Sequence, residues 1–269
     1  MILFAALAMG AFSLVLGVLL CLAGMVFKTE EDPRLEAIIE ALPGANCGGC
    51  GMPGCANFAS ALLQGKVKPN GCPVGGEELV DVLSEISGMI ASVSEKMTAF
   101  VACGGNSKVR STLYEYTGIG DCHAAYQLAA HGFKNCEYGC LGVGSCKHVC
   151  EFDAINIIND IAVINEEKCV ACQKCVHVCP KRIIKIVPLK SRVRVVCSSL
   201  DLAKTVRANC KNGCIGCKLC EKACEYSTVS VNQNLATINY SKCPQCKACA
   251  TKCPAKCISV NGTWNFEQS

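Results

Sequence analysis

The first 27 residues, Met1 to Phe27, carry no charged side chain and are mostly Leu, Val, Ala and Gly. Wound as a helix they span about 40 Å at about 1.5 Å per residue, and a bilayer core needs about 30 Å. The stretch predicts one transmembrane helix, an anchor over residues 1–28 that ends at the first charge, Lys28. It lacks the basic leader and short apolar core of a cleaved signal peptide. Further on, Arg34 to Leu42 sets Leu35, Ile38, Ile39 and Leu42 on one helical face, and Pro43-Gly44 ends it. From Gly76 to Ala99, Leu79, Val82, Leu83, Ile86, Ile90, Val93 and Met97 recur at helical spacing and predict an amphipathic connector. The period then changes. Ala154 to Ile158 and Ile161 to Ile164 flank Asn159-Asp160, while Thr228 to Val231 and Leu235 to Ile238 flank a second polar turn. Both read as β-hairpins. Phe100-Val101-Ala102 and Val195-Val196 look like strand ends, each running into a cysteine.

Composition adds the chemistry. The chain has 26 cysteines in 269 residues. Cysteine this dense means a disulfide scaffold or metal binding. Disulfide scaffolds are short and secreted, whereas this chain is long and its cysteines fall in tight C-x2-C runs, so metal binding leads. A formal net charge of +4 is too small and diffuse to imply nucleic acid.

The first cysteine group is Cys47-x2-Cys50-x4-Cys55-x16-Cys72-Pro73, set among glycines that let backbone wrap closely around a cofactor. Four thiolates suffice for one [4Fe–4S] cluster; tetrahedral zinc is the competing occupant. The run Cys169-x2-Cys172-x2-Cys175-x3-Cys179-Pro180 is the bacterial ferredoxin pattern, whose fourth cysteine ligates the other cluster of a pair. Its partner run is Cys136-x3-Cys140-x5-Cys146-x3-Cys150, stretched by Gly142 and Gly144. A second copy follows, Cys214-x2-Cys217-x2-Cys220-x3-Cys224 and then Cys243-x2-Cys246-x2-Cys249-x3-Cys253-Pro254. Cys150 precedes Cys169 by 19 residues, as Cys224 precedes Cys243, with a hairpin between each pair. Two tandem two-cluster modules are the expectation.

Interlacing assigns the ligands. In the first module one cluster takes Cys136, Cys140, Cys146 and Cys179, the other Cys150, Cys169, Cys172 and Cys175. In the second, one takes Cys214, Cys217, Cys220 and Cys253, the other Cys224, Cys243, Cys246 and Cys249. The expected fold is α+β, with the anchor at 1–28, a four-cysteine domain at 29–75, a helical connector at 76–100, and modules at 101–190 and 191–269. Six cysteines remain. Cys21 lies in the anchor as a small apolar side chain, and Cys257 aligns with Ile183 as a core residue. Cys103, Cys122, Cys197 and Cys210 are either a sixth cluster site, suggested by the repeated strand-end placement, or buried structural thiols.

No dinucleotide or P-loop motif is present in the sequence. His123, His131, His148 and His177 have no metal-ligand spacing of their own. Between Lys181 and Lys211 lie nine basic residues and one acidic one, Asp201; these form a solvated face or a docking patch for an acidic redox carrier.

The stretch Leu35-Glu36-Ala37-Ile38-Ile39-Glu40-Ala41-Leu42-Pro43-Gly44-Ala45-Asn46-Cys47-Gly48-Gly49-Cys50-Gly51 follows an apolar anchor. Asp121-Cys122-His123-Ala124-Ala125 and Tyr138-Gly139-Cys140-Leu141-Gly142-Val143-Gly144-Ser145-Cys146 come later. Over essentially the whole chain this order resembles the B subunit of the Rnf complex, in its long form with tandem ferredoxin modules. The resemblance implies an iron–sulfur subunit of a membrane-bound ferredoxin:NAD+ oxidoreductase that exports Na+ or H+. It implies soluble ferredoxin as electron donor and other Rnf subunits as membrane partners in a hetero-oligomer; the cysteines themselves put the clusters on the cytoplasmic side of the cell membrane, because iron–sulfur clusters are assembled in the reducing cytoplasm. It implies flavin and NAD sites on other chains and no acid, base or nucleophile on this one. Another membrane redox complex such as a hydrogenase, or a zinc-bound scaffold, are the competing classes.

Overall fold

Each apolar run folds only as far as its punctuation allows. The computed structural model describes residues 2–26, 32–91, 95–128 and 131–262, and within the first helix only the side chains of Phe4 and residues 9–23. The charge step at Lys28 and the connector position Val93 lie outside the described residues. Helix α1 runs Ile2–Val26. Counted over the described residues, no helix is long and apolar enough to cross a membrane; over its full range α1 has 25 residues, none of them charged.

Helix α2, Pro33–Ala41, starts where Asp32 accepts the Arg34 N–H and proline occupies the first turn. It packs Ile38 and Leu42 against Phe58 and Leu62 of α3, Cys55–Leu63, and Leu79 and Leu83 of α4, Gly76–Ser87. This small core closes the four-cysteine domain. The expected connector helix to Ala99 is corrected: α4 stops at Ser87 because Gly88 adopts a left-handed φ of 69°, the usual helix C-terminal conformation. Met97 belongs instead to strand β1, Met97–Val101.

The remainder is two copies of one plan. In the first, β1 pairs antiparallel with β4, Ile184–Pro188, in the register Phe100↔Lys185. The hairpin of β2, Ile155–Ile158, and β3, Ile161–Ile164, turns through Asn159 and Asp160 at φ 48° and 60°. Short helices α5 (Cys122–Leu128), α6 (Ser145–His148) and α7 (Lys174–Val178) present cysteines to its core. In the second, β5 (Arg194–Val195) pairs with β8 (Ile258–Ser259), and β6 (Val229–Asn232) with β7 (Leu235–Ile238) through Gln233 and Asn234 at φ 47° and 64°. Its helices are α8 (Ala203–Asn209), α9 (Leu219–Lys222) and α10 (Ala248–Thr251). Two positive φ values in succession make the type I′ turns that suit a tight, right-twisted hairpin.

The two copies meet at equivalent strand ends. Gly104 N–H donates to the Val196 carbonyl at 2.7 Å, and Ser198 Oγ donates to the Ala102 carbonyl at 2.8 Å. Phe100 packs edge-on against Tyr240, centroids 6.5 Å apart. Arg194, fully buried, lies over the Phe100 ring and pairs with Glu166 of the first copy.

Candidate cluster sites

Cys47, Cys50, Cys55 and Cys72 line one cavity of about 330 Å³ with Phe58 in its wall. Asn46, at φ 45°, turns the chain into this loop, and its Oδ1 accepts the Cys55 N–H at 2.8 Å, heading α3. The loop also touches the first module. A Cβ built on Gly49 would stand 3.0 Å from the Cys172 Cα, so the four-cysteine domain lies directly on a cysteine of the next site.

That next site is a cavity of about 360 Å³ lined by Cys150, Cys169, Cys172 and Cys175. The Ala99 and Ala154 amides donate to the Cys169 and Cys150 sulfurs, each at 3.4 Å. These are the four that interlacing groups together.

The neighbouring site departs from expectation. Its cavity, about 400 Å³, is lined by Cys122, Cys140, Cys146 and Cys179. Cys136 is not among them, so the quartet of Cys136 with Cys140, Cys146 and Cys179 is corrected. The cause is a polar chain at the start of α5. Ser145 Oγ donates to Asp121 at 2.8 Å and accepts the Cys122 N–H at 2.6 Å, and Asp121 also accepts the Ala124 N–H at 2.9 Å. These bonds hold the Asp121 carboxyl below the usual carboxylate range, chiefly through the Ala124 amide, and clamp Cys122 beside Cys146. A sequence signal for the exchange exists. Aligning Cys140-Leu-Gly-Val143-Gly-Ser-Cys146 with Cys214-Ile-Gly-Cys217-Lys-Leu-Cys220 leaves Val143 where the second copy has a cysteine. Cys122 supplies the missing thiol.

In the second module, Cys214, Cys217, Cys220 and Cys253 line a cavity of about 310 Å³. Cys257 also reaches it, its sulfur 3.6 Å from that of Cys253. Cys249 has Cys243, Cys246 and Cys224 nearby, and Thr228 N–H donates to the Cys224 sulfur at 3.4 Å. Cys217 and Cys246 are exposed.

A further cavity, about 500 Å³, lies between the modules and is lined by Cys103, Cys136, Cys197 and Cys210. The expected set named Cys122 in place of Cys136; the two have changed places. Arg110 and Lys134 stand in its wall.

Burial favours the protonated thiol at several of these cysteines. Desolvation pushes Cys197 and Cys175 up to about 12, and Cys136, Cys210, Cys220 and Cys249 up to about 11. Iron ligation displaces those protons, and amides aimed at the sulfurs stabilise the thiolates that result. Among the described residues no three His, Cys, Asp or Glu side chains stand close enough to chelate a single ion. Zinc, at about 2.3 Å from each sulfur, draws four sulfurs nearly into contact. A four-iron cluster takes one thiolate from each of four cysteines, and each quartet lining a cavity offers that set.

Comparison with known proteins agrees with this geometry. Residues 42–74 match an Fe-S cluster family, and residues 162–185 match the 4Fe-4S binding domain. The chain is 44% identical over 252 residues to the B subunit of the Na(+)-translocating ferredoxin:NAD(+) oxidoreductase complex of Acetobacterium woodii, covering 93% of this chain and 75% of that one. It is 39% identical over 228 residues to the B subunit of the ion-translocating oxidoreductase complex of Methanosarcina acetivorans, covering 84% and 86%. It is 35% identical over 237 residues to the B subunit of the proton-translocating ferredoxin:NAD(+) oxidoreductase complex of Clostridium ljungdahlii, covering 87% and 83%. The chain belongs to the family of Rnf B subunits.

The basic run from Lys181 to Lys211 is not one patch. Arg194 is buried on Glu166, which also holds Arg192. Lys190 pairs with Glu95 at 2.6 Å, and Lys181 donates to the carbonyls of His131 and Glu137. These four side chains serve internal contacts. The four histidines are all exposed.

Proposed function

We propose that this chain is the iron–sulfur relay subunit of an ion-translocating ferredoxin:NAD+ oxidoreductase. It takes electrons from reduced ferredoxin and hands them to membrane partner subunits. The observation that carries the proposal is that four of the cysteine quartets each line a cavity of their own, with the Gly49 loop of the first lying against Cys172 of the next. Their occupants are [4Fe–4S] clusters, held by Cys47/Cys50/Cys55/Cys72, Cys150/Cys169/Cys172/Cys175, Cys122/Cys140/Cys146/Cys179, Cys214/Cys217/Cys220/Cys253 and Cys224/Cys243/Cys246/Cys249. Such a cluster, when bound, supplies a one-electron couple. The protein's share is to place these ligands in a line, exclude water from the buried ones and aim amides at their sulfurs. No side chain acts as acid or base.

The anchor belongs to this reading. Helix α1 is about 37 Å long, and Phe12, Leu14 and Leu20 leave about two-thirds of their surface uncovered. A bilayer covers that surface and sets the four-cysteine domain, next along the chain, at the cytoplasmic face. The ferredoxin entry surface is the opposite end, the second module. Residues 191–269 carry eleven Lys and Arg against four Asp and Glu. Exposed Cys217 and Cys246 sit beside exposed Lys218 and Lys247. An acidic carrier docks there by charge with clusters near the surface.

The test uses anaerobically purified full-length protein in nanodiscs. Reduced ferredoxin should bleach its broad absorbance near 400 nm, faster at low salt than at high. A colourless preparation, or a coloured one that reduced ferredoxin leaves unchanged, contradicts the proposal.

A further inference from the structure

We infer that Cys103, Cys136, Cys197 and Cys210 hold a further [4Fe–4S] cluster, and that this cluster is the junction between the two modules. The inference rests on the relay function proposed above.

Symmetry is the first support. Each module contributes the cysteine at the end of its leading strand, Cys103 after β1 and Cys197 after β5. Each also contributes the cysteine four residues ahead of its ferredoxin run, since Cys136-x3-Cys140 repeats as Cys210-x3-Cys214. The hydrogen bonds repeat as well. Cys140 N–H donates to the Cys103 sulfur at 3.4 Å, and Cys214 N–H donates to the Cys197 sulfur at 3.2 Å. Each of these bonds runs from a ligand of a module's own cluster to a sulfur of the junction, so the junction touches one cluster of each module.

Arg110 is the second support, and it points to an anion. Its side chain is 2% exposed, and among the described residues its one ionic partner is Asp160 at 3.4 Å. Nε and Nη1 are buried without a hydrogen-bond partner, a costly state for a cation. The site of an ideal Cβ on Gly105 lies 3.6 Å from Arg110 Cδ, 3.3 Å from the Cys210 sulfur and 3.7 Å from the Cys103 sulfur. The guanidinium thus lines the same cavity as the four cysteines. Lys134 adds a second buried amine, bonded to the carbonyls of Cys140 and Asp160 at 2.6 and 2.9 Å. Two disulfides would leave this cationic wall facing neutral sulfur. A four-iron cluster with four thiolates carries two negative charges oxidised and three reduced, and so supplies the missing anion. Such a cluster, when bound, would supply a one-electron couple between those two charge states, held by the four cysteines with Arg110 and Lys134 in the wall. Because a nearby cation favours the more negative state, Arg110 raises the junction's midpoint potential.

The experiment compares anaerobically purified full-length variants by iron, sulfide and zinc content and by redox-titrated EPR. The wild type should hold about 24 irons with equal sulfide, six clusters of four. Cys136→Ala and Cys197→Ala should each fall to about 20 and lose the same EPR signal, whereas Cys122→Ala should lose a different one. Arg110→Gln should keep its iron and lower the midpoint potential of that one signal, a readout that survives if the cysteine variants fail to fold. About 20 irons in the wild type, zinc in place of one cluster, loss of one common signal in Cys136→Ala and Cys122→Ala, or an unmoved potential in Arg110→Gln overturns the junction and leaves the relay standing. Iron near zero throughout overturns both.

Discussion

The two ferredoxin-like modules share strand pairings, type I′ hairpins and a cysteine frame, yet one is closed and the other open. In the first, Cys172 lies under the Gly49 loop and the equivalent of Cys217 comes from Cys122, held by the Asp121–Ser145 chain. In the second, Cys217 and Cys246 remain in their runs and face solvent. The shared frame shows what a two-cluster module requires of its sequence. On the proposed relay, the differences suit position: a covered module between neighbours, and an open one at the end where a carrier would dock.

Breaking the join between the modules should have the largest effect. Glu166→Gln leaves Arg194 buried without its counterion, and loss of one partner of a buried pair costs about 3–5 kcal/mol. Thermal unfolding of the holoprotein should show it as a lower Tm; an unchanged Tm would mean that the pair does not hold the modules together. The next variant erases the difference in ligand source. Cys122→Ala should lose about four irons, and adding Val143→Cys, which gives the first module the run of the second, should restore them. Iron content decides, and a double variant no richer than the single one removes the proposed equivalence.

A backbone comparison follows. Gly142 and Gly216 are equivalent, at φ 76° and 63°. A Cβ on Gly142 would lie 2.2 Å from the Asp160 carbonyl oxygen, against 2.9 Å from the Asn234 Cα for Gly216. Alanine in such a conformation costs on the order of 1–3 kcal/mol, so Gly142→Ala should lower stability more than Gly216→Ala; the reverse order in denaturant melts would contradict the contacts. The smallest effect is in pH. Burial raises Cys140 and Cys146, whereas hydrogen bonds from the Cys257 thiol lower Cys214 and Cys253. A raised thiol keeps its proton to higher pH, and iron must displace it. Reconstitution of the apoprotein should therefore fill the Cys214 site at lower pH than the Cys140 site. Cys257→Ala should narrow the gap, as followed by site-resolved EPR.

Much of this was legible in the chain. Alternation and paired polar residues mark both hairpins because a strand's period and a type I′ turn are local properties. The quartets of Cys47 and Cys169 follow from spacing for the same reason. The Cys122–Cys136 exchange is not legible there, because it depends on Ser145 meeting Cys122 across 23 residues, although Val143 in the place of Cys217 is a local clue. Nor could the basic run be read as internal: Arg194 finds Glu166 28 residues away. The end of α4 at Gly88 could have been read from its glycine, but the apolar spacing that continues past it masked the stop.

Iron, acid-labile sulfide and zinc per chain, measured on anaerobically purified full-length protein, test the central claim most directly. The account predicts brown protein with at least about 20 irons, a matching amount of sulfide and negligible zinc. Several equivalents of zinc with little iron or sulfide would contradict it.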